Sequence, residues 1–491
     1  MYYVSTRGSD EKVLSATAIK KGIAGDGGLF MPESLPKTDL DFIKELMPLS
    51  YPERAVKVLS LFLDDYTEDE LCYAARFAYE GGKFDTAAAP VVSLDETLDV
   101  LELWHGPTAA FKDMALQICP TLLSQALVKT NEKGEAFILV ATSGDTGKAA
   151  LEGYKNVPGT RIMVFYPENG VSTVQKLQMA TQEGDNVNVC AIKGCFDDAQ
   201  TGVKKIFGDD AIKKALAKKG KFFSSANSIN WGRLSPQIVY YFSAYCDMVA
   251  QGRITLGETI NVCVPTGNFG NIFAGYIAKE MGLPIKKLIC ASNKNNILTD
   301  FINEGVYDRN RAFHLTMSPS MDILISSNLE RYLYLTVGAE KTAEYMSALS
   351  KTGRYSVDAQ TLTKLKESFA GYYCDEENTA ATIKATYEQS KYLSDTHTAV
   401  ALYCARKYIE ETGDGAKMLV VSTASPYKFA DNVYYSLTGK KSESSLSALD
   451  DLFALTGVKI PAPLSGIGER TVRFTKSIDK DAMAKEVLES L

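Results

Sequence analysis

Short runs of apolar, β-branched residues alternate with longer amphipathic segments from about residue 96 onward. The apolar runs predict seven strands, at 97–103, 137–142, 161–166, 187–192, 260–265, 287–292 and 417–422. The amphipathic segments predict helices at 145–155, 173–183, 198–219, 235–250, 271–282, 340–351, 377–392 and 398–411. Strands that are apolar on both faces and alternate with helices are typical of α/β proteins with mostly parallel sheets. In such folds ligands bind at the carboxyl ends of the strands.

The length of the chain implies more than one domain. It has 491 residues, whereas a single hydrophobic core rarely extends past about 250–300 residues. Residues 1–95 form one compositional block, with a glycine-rich turn followed by helix-like segments. We therefore predict an N-terminal domain at 1–95, a smaller α/β region at 96–250 and a large α/β domain at 251–491.

The composition of the chain argues against nucleic acid, membranes and metal ions as binding partners. The chain carries 53 Lys and Arg against 60 Asp and Glu, a net charge of −7, which gives no electrostatic reason to bind nucleic acid or an anionic membrane. No apolar run approaches a membrane span, and the first residues carry no secretory signal pattern. The nine cysteines are scattered, which is typical of reduced thiols in a cytoplasmic protein. The three histidines lie far apart, so we expect no metal site.

The glycine-rich turn after the strand at 260–265 is the clearest ligand-binding signal. Its sequence, PTGNFGN at 265–271, leads into a helix, so free N–H groups can surround an anion there. The turn lacks the lysine of a P-loop, and its glycines do not match the dinucleotide fingerprint. It suits a single phosphate monoester, and the alternative is an ordinary turn between a strand and a helix.

Two other turns carry groups that suit an anionic substrate. Residues 142–147, TSGDTG, follow a strand and open a helix, so they can bind a carboxylate or a phosphate. The alternative is a helix cap made by Ser143 or Asp145. Residues 224–233, SSANSINWGR, set amides and Arg233 before a helix, and arginine can bind phosphate through two parallel hydrogen bonds. The alternative is a surface loop that caps this helix.

Lys112 is a candidate nucleophile or base. It follows small and apolar residues in LWHGPTAAFKD at 103–113, at the start of a helical pattern. Desolvation lowers the pKa of a lysine and makes its neutral amine available. A lysine in such a position is more commonly solvated, so composition alone leaves its role open. A last turn, 423–429, sets hydroxyl groups after the strand at 417–422.

Together these segments resemble the threonine synthase family of pyridoxal 5′-phosphate (PLP) enzymes. The matching segments keep the family's order along the whole chain: STRG at 5–8, DGGLFMPE at 26–33, LELWHGPTAAFKD at 101–113, TSGDTG at 142–147, NSINWGR at 227–233, PTGNFGN at 265–271, TMSPSMDILISSNLER at 316–331, DTHTAVA at 395–401 and STASPYKF at 422–429. The resemblance implies an α/β fold of PLP fold type II, which is tryptophan-synthase-β-like. Such a fold has two three-layer αβα domains with a cofactor cleft between them, here with an N-terminal threonine synthase domain.

The resemblance also implies roles for individual residues. Lys112 is expected to be the catalytic residue, which forms the Schiff base with PLP and then transfers protons. Thr423 is expected to face the pyridine nitrogen. The implied cofactor-binding set is Lys112, Gly267, Asn268, Phe269, Gly270, Asn271 and Thr423. The implied substrate-binding set is Thr142, Ser143, Gly144, Asp145, Thr146, Asn227, Ser228 and Arg233. Of these, Arg233 is expected to hold the departing phosphate, with help from Asn227, Ser228 or Lys148.

The reaction implied is conversion of O-phospho-L-homoserine and water to L-threonine and phosphate, by γ-elimination and then addition of water at Cβ. The expected partner is this small molecule, and the expected state is a monomer or a homodimer. The alternatives are another PLP-dependent elimination or replacement enzyme, such as a serine/threonine dehydratase, or a PLP-binding paralogue without activity. The chain departs from the family pattern at Ser425, where a histidine is common, and at Lys148. These two residues and His397 have no assigned role.

Overall fold

The computed structural model describes residues 1–84, 87–169 and 171–491, and two mostly parallel sheets organise its core. The strands are β1 (Tyr3–Ser5), β2 (Phe30–Pro32), β3 (Val91–Ser93), β4 (Leu98–Glu102), β5 (Glu135–Ala141), β6 (Thr160–Pro167), β7 (Val187–Lys193), β8 (Lys221–Ser224), β9 (Ile260–Pro265), β10 (Ile285–Ser292), β11 (Val306–Asp308), β12 (Arg354–Ser356), β13 (Phe369–Tyr373), β14 (Met418–Ser422) and β15 (Ser477–Asp479).

The helices are α1 (Ser15–Lys21), α2 (Leu40–Leu46), α3 (Tyr51–Ser60), α4 (Glu68–Tyr79), α5 (Asp113–Leu116), α6 (Cys119–Lys129), α7 (Asp145–Tyr154), α8 (Thr173–Ala180), α9 (Phe196–Gly208), α10 (Asp210–Lys218), α11 (Trp231–Ala250), α12 (Gly270–Met281), α13 (Ile297–Glu304), α14 (Leu329–Thr352), α15 (Ala359–Ser368), α16 (Glu376–Ser390), α17 (Thr396–Thr412), α18 (Ala430–Thr438), α19 (Ser447–Thr456) and α20 (Met483–Glu489). Short 3₁₀ helices occur at Pro319–Met321, Pro426–Phe429, Ile467–Glu469 and Lys480–Ala482.

The larger sheet has six strands in the order β13-β10-β9-β14-β4-β3. All neighbouring strands are parallel except β3 and β4. In β14, Val420 pairs with Cys263 of β9 on one side and with Val100 of β4 on the other. These three central strands are buried along their whole length, as continuous apolar runs predict. The carboxyl ends of β9, β14 and β4 therefore lie side by side.

The smaller sheet has five parallel strands in the order β15-β7-β6-β5-β8. Its strand β5 leads into the turn at 142–147, and α7 begins there. Sheet membership does not follow chain order across the predicted division at residue 96. Strand β4 belongs to the six-stranded sheet, and β15, from near the C-terminus, closes an edge of the five-stranded sheet.

The N-terminal segment is fastened to the rest of the chain by arginines. Arg7 donates two hydrogen bonds of 2.8 Å to the carboxylate of Glu330 at the start of α14. Arg331, the next residue, is fully buried and donates to the carbonyl oxygen of Phe30 in β2. Paired, planar contacts of this kind fix orientation as well as distance.

The seven predicted strands are confirmed, with boundaries shifted by up to two residues. The single helix predicted at 198–219 is two helices, α9 and α10. They are separated at Asp209, whose backbone is extended and whose carboxylate accepts from the N–H groups of Ala211 and Ile212. The segment predicted at 340–351 is the second part of α14, which begins earlier and is kinked at Gly338.

None of the helices that the structure describes is long and apolar enough to cross a membrane. The nine cysteines are free thiols, and seven of them are buried. Among the described residues, no three His, Cys, Asp or Glu side chains are grouped closely enough to hold a metal ion.

Gly153 lies where α7 packs against the segment that carries Lys112, so a substitution at this position tests how tight that packing is. A Cβ atom at this position would overlap the carbonyl oxygen of Leu116 in α5. We therefore expect Gly153→Ala to lower the free energy of unfolding by about 1–3 kcal/mol, because overpacking forces the two helices apart. The measurement is chemical denaturation followed by circular dichroism.

The matched control is Gly208→Ala, at the end of α9, where an added Cβ would meet nothing within 4 Å. This substitution should be neutral or stabilising, because alanine favours helix more than glycine. An equal loss of stability in the two variants would contradict the packing argument.

Candidate active site

Three loops meet at the carboxyl edge of the six-stranded sheet. Main-chain hydrogen bonds continue beyond the strands: Phe111 N–H donates to the carbonyl of Thr423 at 2.8 Å, and Ser425 N–H donates to that of Ala109 at 3.1 Å. These bonds hold the segment that ends in Lys112 against the segment that follows β14. The sheet order thus brings Lys112 next to Thr423, as the sequence prediction requires of a shared site.

The loop before Lys112 is held by Asp113. The carboxylate of Asp113 accepts from Thr108 Oγ1 at 2.7 Å and from Thr108 N–H at 2.8 Å. A Cβ on Gly106 would lie 2.7 Å from this carboxylate, so the close packing requires glycine there. Ala109 takes a left-handed backbone, with φ of 56°. These contacts make the loop a rigid support for the Lys112 amine.

The Lys112 amine is buried, and its Nζ lies 3.7 Å from Oδ2 of Asp145. Burial is the largest influence on the pKa of Lys112 and lowers it. Asp145 opposes this by raising the pKa, whereas Lys428 and Arg233 lower it further. The net pKa is below that of a free lysine, which favours a neutral amine.

Asp145 is enclosed by donors. Its Oδ1 accepts from Nζ of Lys428 at 2.8 Å and from Nε2 of Gln175 at 2.8 Å. Burial by itself would raise the pKa of Asp145, but Lys428 and Lys112 outweigh it and the pKa is lowered. Asp145 is therefore a carboxylate, with one oxygen fully bonded and the other facing Lys112.

The turn at 142–147 is braced by Thr142. Its Oγ1 accepts from the N–H groups of Gly144 and Gly147, at 3.0 and 2.9 Å. Gly144 has φ of 139°, and a Cβ there would overlap the side chain of Gln175. The hydroxyls of Ser143 and Thr146 are partly exposed and have no hydrogen-bond partner among the described residues. Ser143 and Thr146 can thus receive a ligand, whereas the hydroxyl of Thr142 supports the turn.

The turn at 265–271 presents its N–H groups and ties back its carbonyls. Ser326 Oγ donates to the carbonyl of Gly267 at 2.7 Å, and Asn328 donates to that of Asn268 through both N and Nδ2. Phe269 has φ of 61° and is the last residue before α12. The N–H groups of residues 267–269 have no partner among the residues that the structure describes. Such a nest attracts an anion.

Asn271 adds a side-chain donor to this turn. Its Oδ1 accepts from Tyr240 and Tyr241 hydroxyls, at 2.6 and 2.7 Å. Its Nδ2 is buried and has no hydrogen-bond partner among the described residues. A buried amide without a partner is unfavourable, so a bound group that accepts its hydrogen bond would stabilise the site.

The segment at 227–233 contributes a second set of donors. Arg233 is buried, and its Nη1 donates to the carbonyl of Ala226 at 2.7 Å, whereas its Nε has no partner in the part of the chain that the structure describes. Burial lowers the pKa of the Arg233 guanidinium, and its charge in turn acts on Lys112. Asn227 is exposed, and its Oδ1 accepts from the N–H of Ser228. Arg233 therefore lies close to the amine with an uncommitted donor.

The residues fit pyridoxal phosphate. The buried amine of Lys112, with its lowered pKa, matches the aldehyde of the cofactor. The N–H groups at 267–269 and Nδ2 of Asn271, without partners among the described residues, match its phosphate. The hydroxyl of the buried Thr423 matches its ring nitrogen.

Sequence reasoning missed three residues that hold these groups in place: Lys428, Gln175 and Asn328. Each acts on a residue far away in the chain, so local patterns give no signal. The residues without an assigned role have structural bonds here. His397 bonds Asp395 and accepts from Ser320 N–H, while Lys148 donates to Glu152 and Gln182. Ser425 accepts from Tyr427 N–H.

The chain matches three family models along its length. These are "Threonine synthase N terminus" at residues 2–79, "Pyridoxal-phosphate dependent enzyme" at 100–424 and "Threonine synthase, C-terminal" at 398–486. The matches agree with the order of the motifs and identify the large central part of the chain as a PLP-dependent enzyme.

Curated relatives and a solved structure agree with these matches. The chain is 40% identical to human Threonine synthase-like 1, over 88% of this chain and 59% of that protein, so it spans little more than half of that relative. It is 40% identical to threonine synthase of Pseudomonas aeruginosa, over 88% and 90% of the two chains. PLP-bound threonine synthase from Brucella melitensis is 36% identical and superimposes with a TM-score of 0.88, over 100% of this chain and 99% of that chain. This superposition confirms the predicted fold, and the chain belongs to the threonine synthase family of PLP-dependent enzymes.

Proposed function

We propose that the chain is a threonine synthase, which converts O-phospho-L-homoserine and water to L-threonine and phosphate. One observation carries the proposal: the site that holds the buried amine of Lys112 also holds two separate groups of anion donors without partners among the described residues. One is the turn at 267–271, and the other is Arg233 with its neighbours. A phosphorylated cofactor together with a phosphorylated substrate needs two such groups.

The cofactor uses the first group. Gly267, Asn268, Phe269, Gly270 and Asn271 hold its phosphate through N–H groups at the start of α12, where the helix dipole adds to the attraction. Thr423 binds the ring nitrogen through a hydroxyl. When bound, PLP withdraws electrons from the substrate carbon next to the amino group.

Lys112 is the residue that moves protons. Its lowered pKa makes a larger fraction of the amine neutral than in a free lysine, and a neutral amine can accept a proton from Cα of the substrate and, after releasing it, a second proton from Cβ. The same Nζ can return a proton at Cγ after the phosphate has left. The rigid loop at 103–113 keeps this atom within reach of all three carbons.

The two substrate anions are bound at different turns. The carboxylate is received by the Ser143 and Thr146 hydroxyls and by the N–H groups of Asp145 and Thr146 at the start of α7, which have no partners among the described residues. The departing phosphate is held by Arg233, together with Asn227 and Ser228. The free Nε of Arg233 supports this assignment, because a buried guanidinium with an unused donor is suited to a phosphate oxygen.

Two other functions are less well supported. A serine/threonine dehydratase releases no phosphate, and it would have no use for the buried cation at 233. A paralogue without activity would not need the rigid, buried amine at 112. Release of phosphate from O-phosphohomoserine, compared with release of ammonia from serine or threonine, separates these functions.

The setting of the enzyme is part of the proposal. The free thiols support a reducing, cytoplasmic compartment. The negative net charge supports a small-molecule enzyme with no nucleic acid or membrane partner, which works as a monomer or a homodimer.

Lys112→Ala is the first test. Because the variant lacks the base, phosphate release should fall by at least about 100-fold. Borohydride reduction of the unmodified enzyme, followed by peptide mapping, should find the cofactor attached to residue 112. Lys148→Ala, which removes another buried lysine, should keep that label. Attachment to any other lysine, or turnover of Lys112→Ala at the original rate, would contradict the assignment.

Arg233→Met tests the phosphate site. Loss of a hydrogen bond to a charged group costs about 1.5–3 kcal/mol, which should raise KM for O-phosphohomoserine by about 10- to 100-fold. PLP content, read from visible absorbance, should stay the same, because Arg233 belongs to the substrate set. Arg233→Lys should recover part of the loss. An unchanged KM in both variants would move the leaving phosphate to another part of the site.

A further inference from the structure

Lys428 is a buried lysine that the proposed reaction does not use. It lies in the 3₁₀ helix after β14, and its side chain is completely shielded from solvent. Its Nζ donates to Oδ1 of Asp145 at 2.8 Å and to the carbonyl oxygen of Thr108 at 2.8 Å. A lysine is almost never fully buried unless it is paired, so these two bonds account for its presence.

The two bonds of Lys428 join three loops. Thr108 lies in the loop that carries Lys112, and Asp145 begins α7 at the edge of the other sheet. Lys428 itself follows the central strand of the six-stranded sheet. One ammonium group therefore links the two sheets at the point where the amine of Lys112 lies.

The two carboxylate oxygens of Asp145 make different contacts. Oδ1 is bonded by Lys428 and Gln175, whereas Oδ2 faces the Nζ of Lys112 from 3.7 Å. That distance is too long for a hydrogen bond. A buried carboxylate without another cation would need the Lys112 ammonium as its counter-charge, because an unpaired charge in a buried site is costly.

We propose that Lys428 is a positioning residue, which closes an ion pair with Asp145 so that Lys112 is free to be a neutral amine. The inference rests on the proposed function only in one respect, namely that the neutral amine of Lys112 acts as the base in the reaction. The ion pair also leaves the second carboxylate oxygen facing Lys112, because the first oxygen is held by two donors.

The other charges around Lys112 agree with this role. Burial lowers the pKa of Lys112, Asp145 and Asp113 raise it, and Lys428 and Arg233 lower it. Around Asp145, the two lysines keep the carboxylate ionised despite its burial. Removal of Lys428 takes away a cation near Lys112 and leaves Asp145 unpaired. Both changes favour the protonated amine, so the pKa of Lys112 should rise.

The test measures the amine directly on the full-length chain. After removal of the cofactor, Lys112 is labelled with acetic anhydride over a range of pH, and the modified peptide is quantified by mass spectrometry. Return of the visible absorbance when PLP is added back shows that each preparation is still native. The neutral amine reacts, so the midpoint of labelling against pH reports the pKa of Lys112.

Lys428→Met should reduce the labelling rate of Lys112 about tenfold at a fixed pH below the midpoint, which corresponds to a rise of about one pH unit. Lys428→Arg should stay within about twofold of the original chain, because it keeps the charge. The double variant Lys428→Met/Asp145→Asn should return close to the original midpoint, since cation and anion are removed together. If Lys428 only supported the fold, adding Asp145→Asn would not restore the labelling midpoint of Lys112.

Arg253→Met is the matched control. It breaks another ion pair of a fully buried carboxylate, Asp99, at the opposite end of the same sheet. It should lower stability and leave the labelling midpoint of Lys112 unchanged. An unchanged midpoint in native Lys428→Met would overturn the proposal.

A second comparison covers the case in which Lys428→Met does not fold. Asp145→Asn alone keeps the Lys428 cation beside Lys112, so its midpoint should lie about one pH unit below that of the double variant. Equal midpoints in these two variants would also overturn the proposal. Labelling needs no turnover, so a chain that shows these shifts but releases no phosphate would refute the proposed function and leave the role of Lys428 intact.

In the cofactor-loaded enzyme, the acid limb of kcat against pH should move upward in Lys428→Met by the same amount as the labelling midpoint. A fall in kcat without a shift of this limb would indicate a loss of structure only, and would count against the proposal.

Discussion

Parallel pairing of β14 with β9 on one side and with β4 on the other is the constraint on which the site depends. In a parallel sheet the strands end at the same edge, so the three loops that follow them are adjacent. The main-chain bonds from Phe111 to Thr423 and from Ser425 to Ala109 extend this pairing past the strand ends. Backbone geometry therefore brings together Lys112, Thr423 and the turn at 265–271, before any side chain adds its own contact.

Electrostatics then decides what the buried groups can do. In the site, Lys428 and Lys112 act on the buried carboxylate of Asp145, and Arg233 acts on Lys112, with little water to screen these charges. The protein satisfies Oδ1 of Asp145 completely, yet leaves Nε of Arg233 and Nδ2 of Asn271 without partners. Unpaired buried donors destabilise the empty site, and anions that accept from them stabilise the filled one. Buried donors of this kind thus favour the binding of anions at a cost in folding stability.

The central strands and the candidate loops could be predicted because their signals are local. Ile260–Val264 and 417–422 are continuous apolar runs, and each is followed by a polar turn. Strand β8 was missed because it is short and begins with a lysine, and the break at Asp209 was missed because apolar periodicity continues across it. The bond from Lys428 to Asp145 joins segments that are distant in the chain. The spacing of residues in the sequence does not predict that these two segments meet, and only the family resemblance places both of them at one site.

The N-terminal segment supports the site through a chain of hydrogen bonds that starts at Arg331. Arg331 donates to the carbonyl of Phe30 in β2 and to Oδ1 of Asn328. The amide of Asn328 in turn donates to the carbonyls of Asn268 and Ser228, one in each group of anion donors. Because Arg331 is buried and bonded to neutral oxygens, its charge has no carboxylate partner in these contacts. A displaced N-terminal segment would leave this guanidinium partly unbonded, so the segment stabilises the loops that carry both groups of anion donors through a single buried cation.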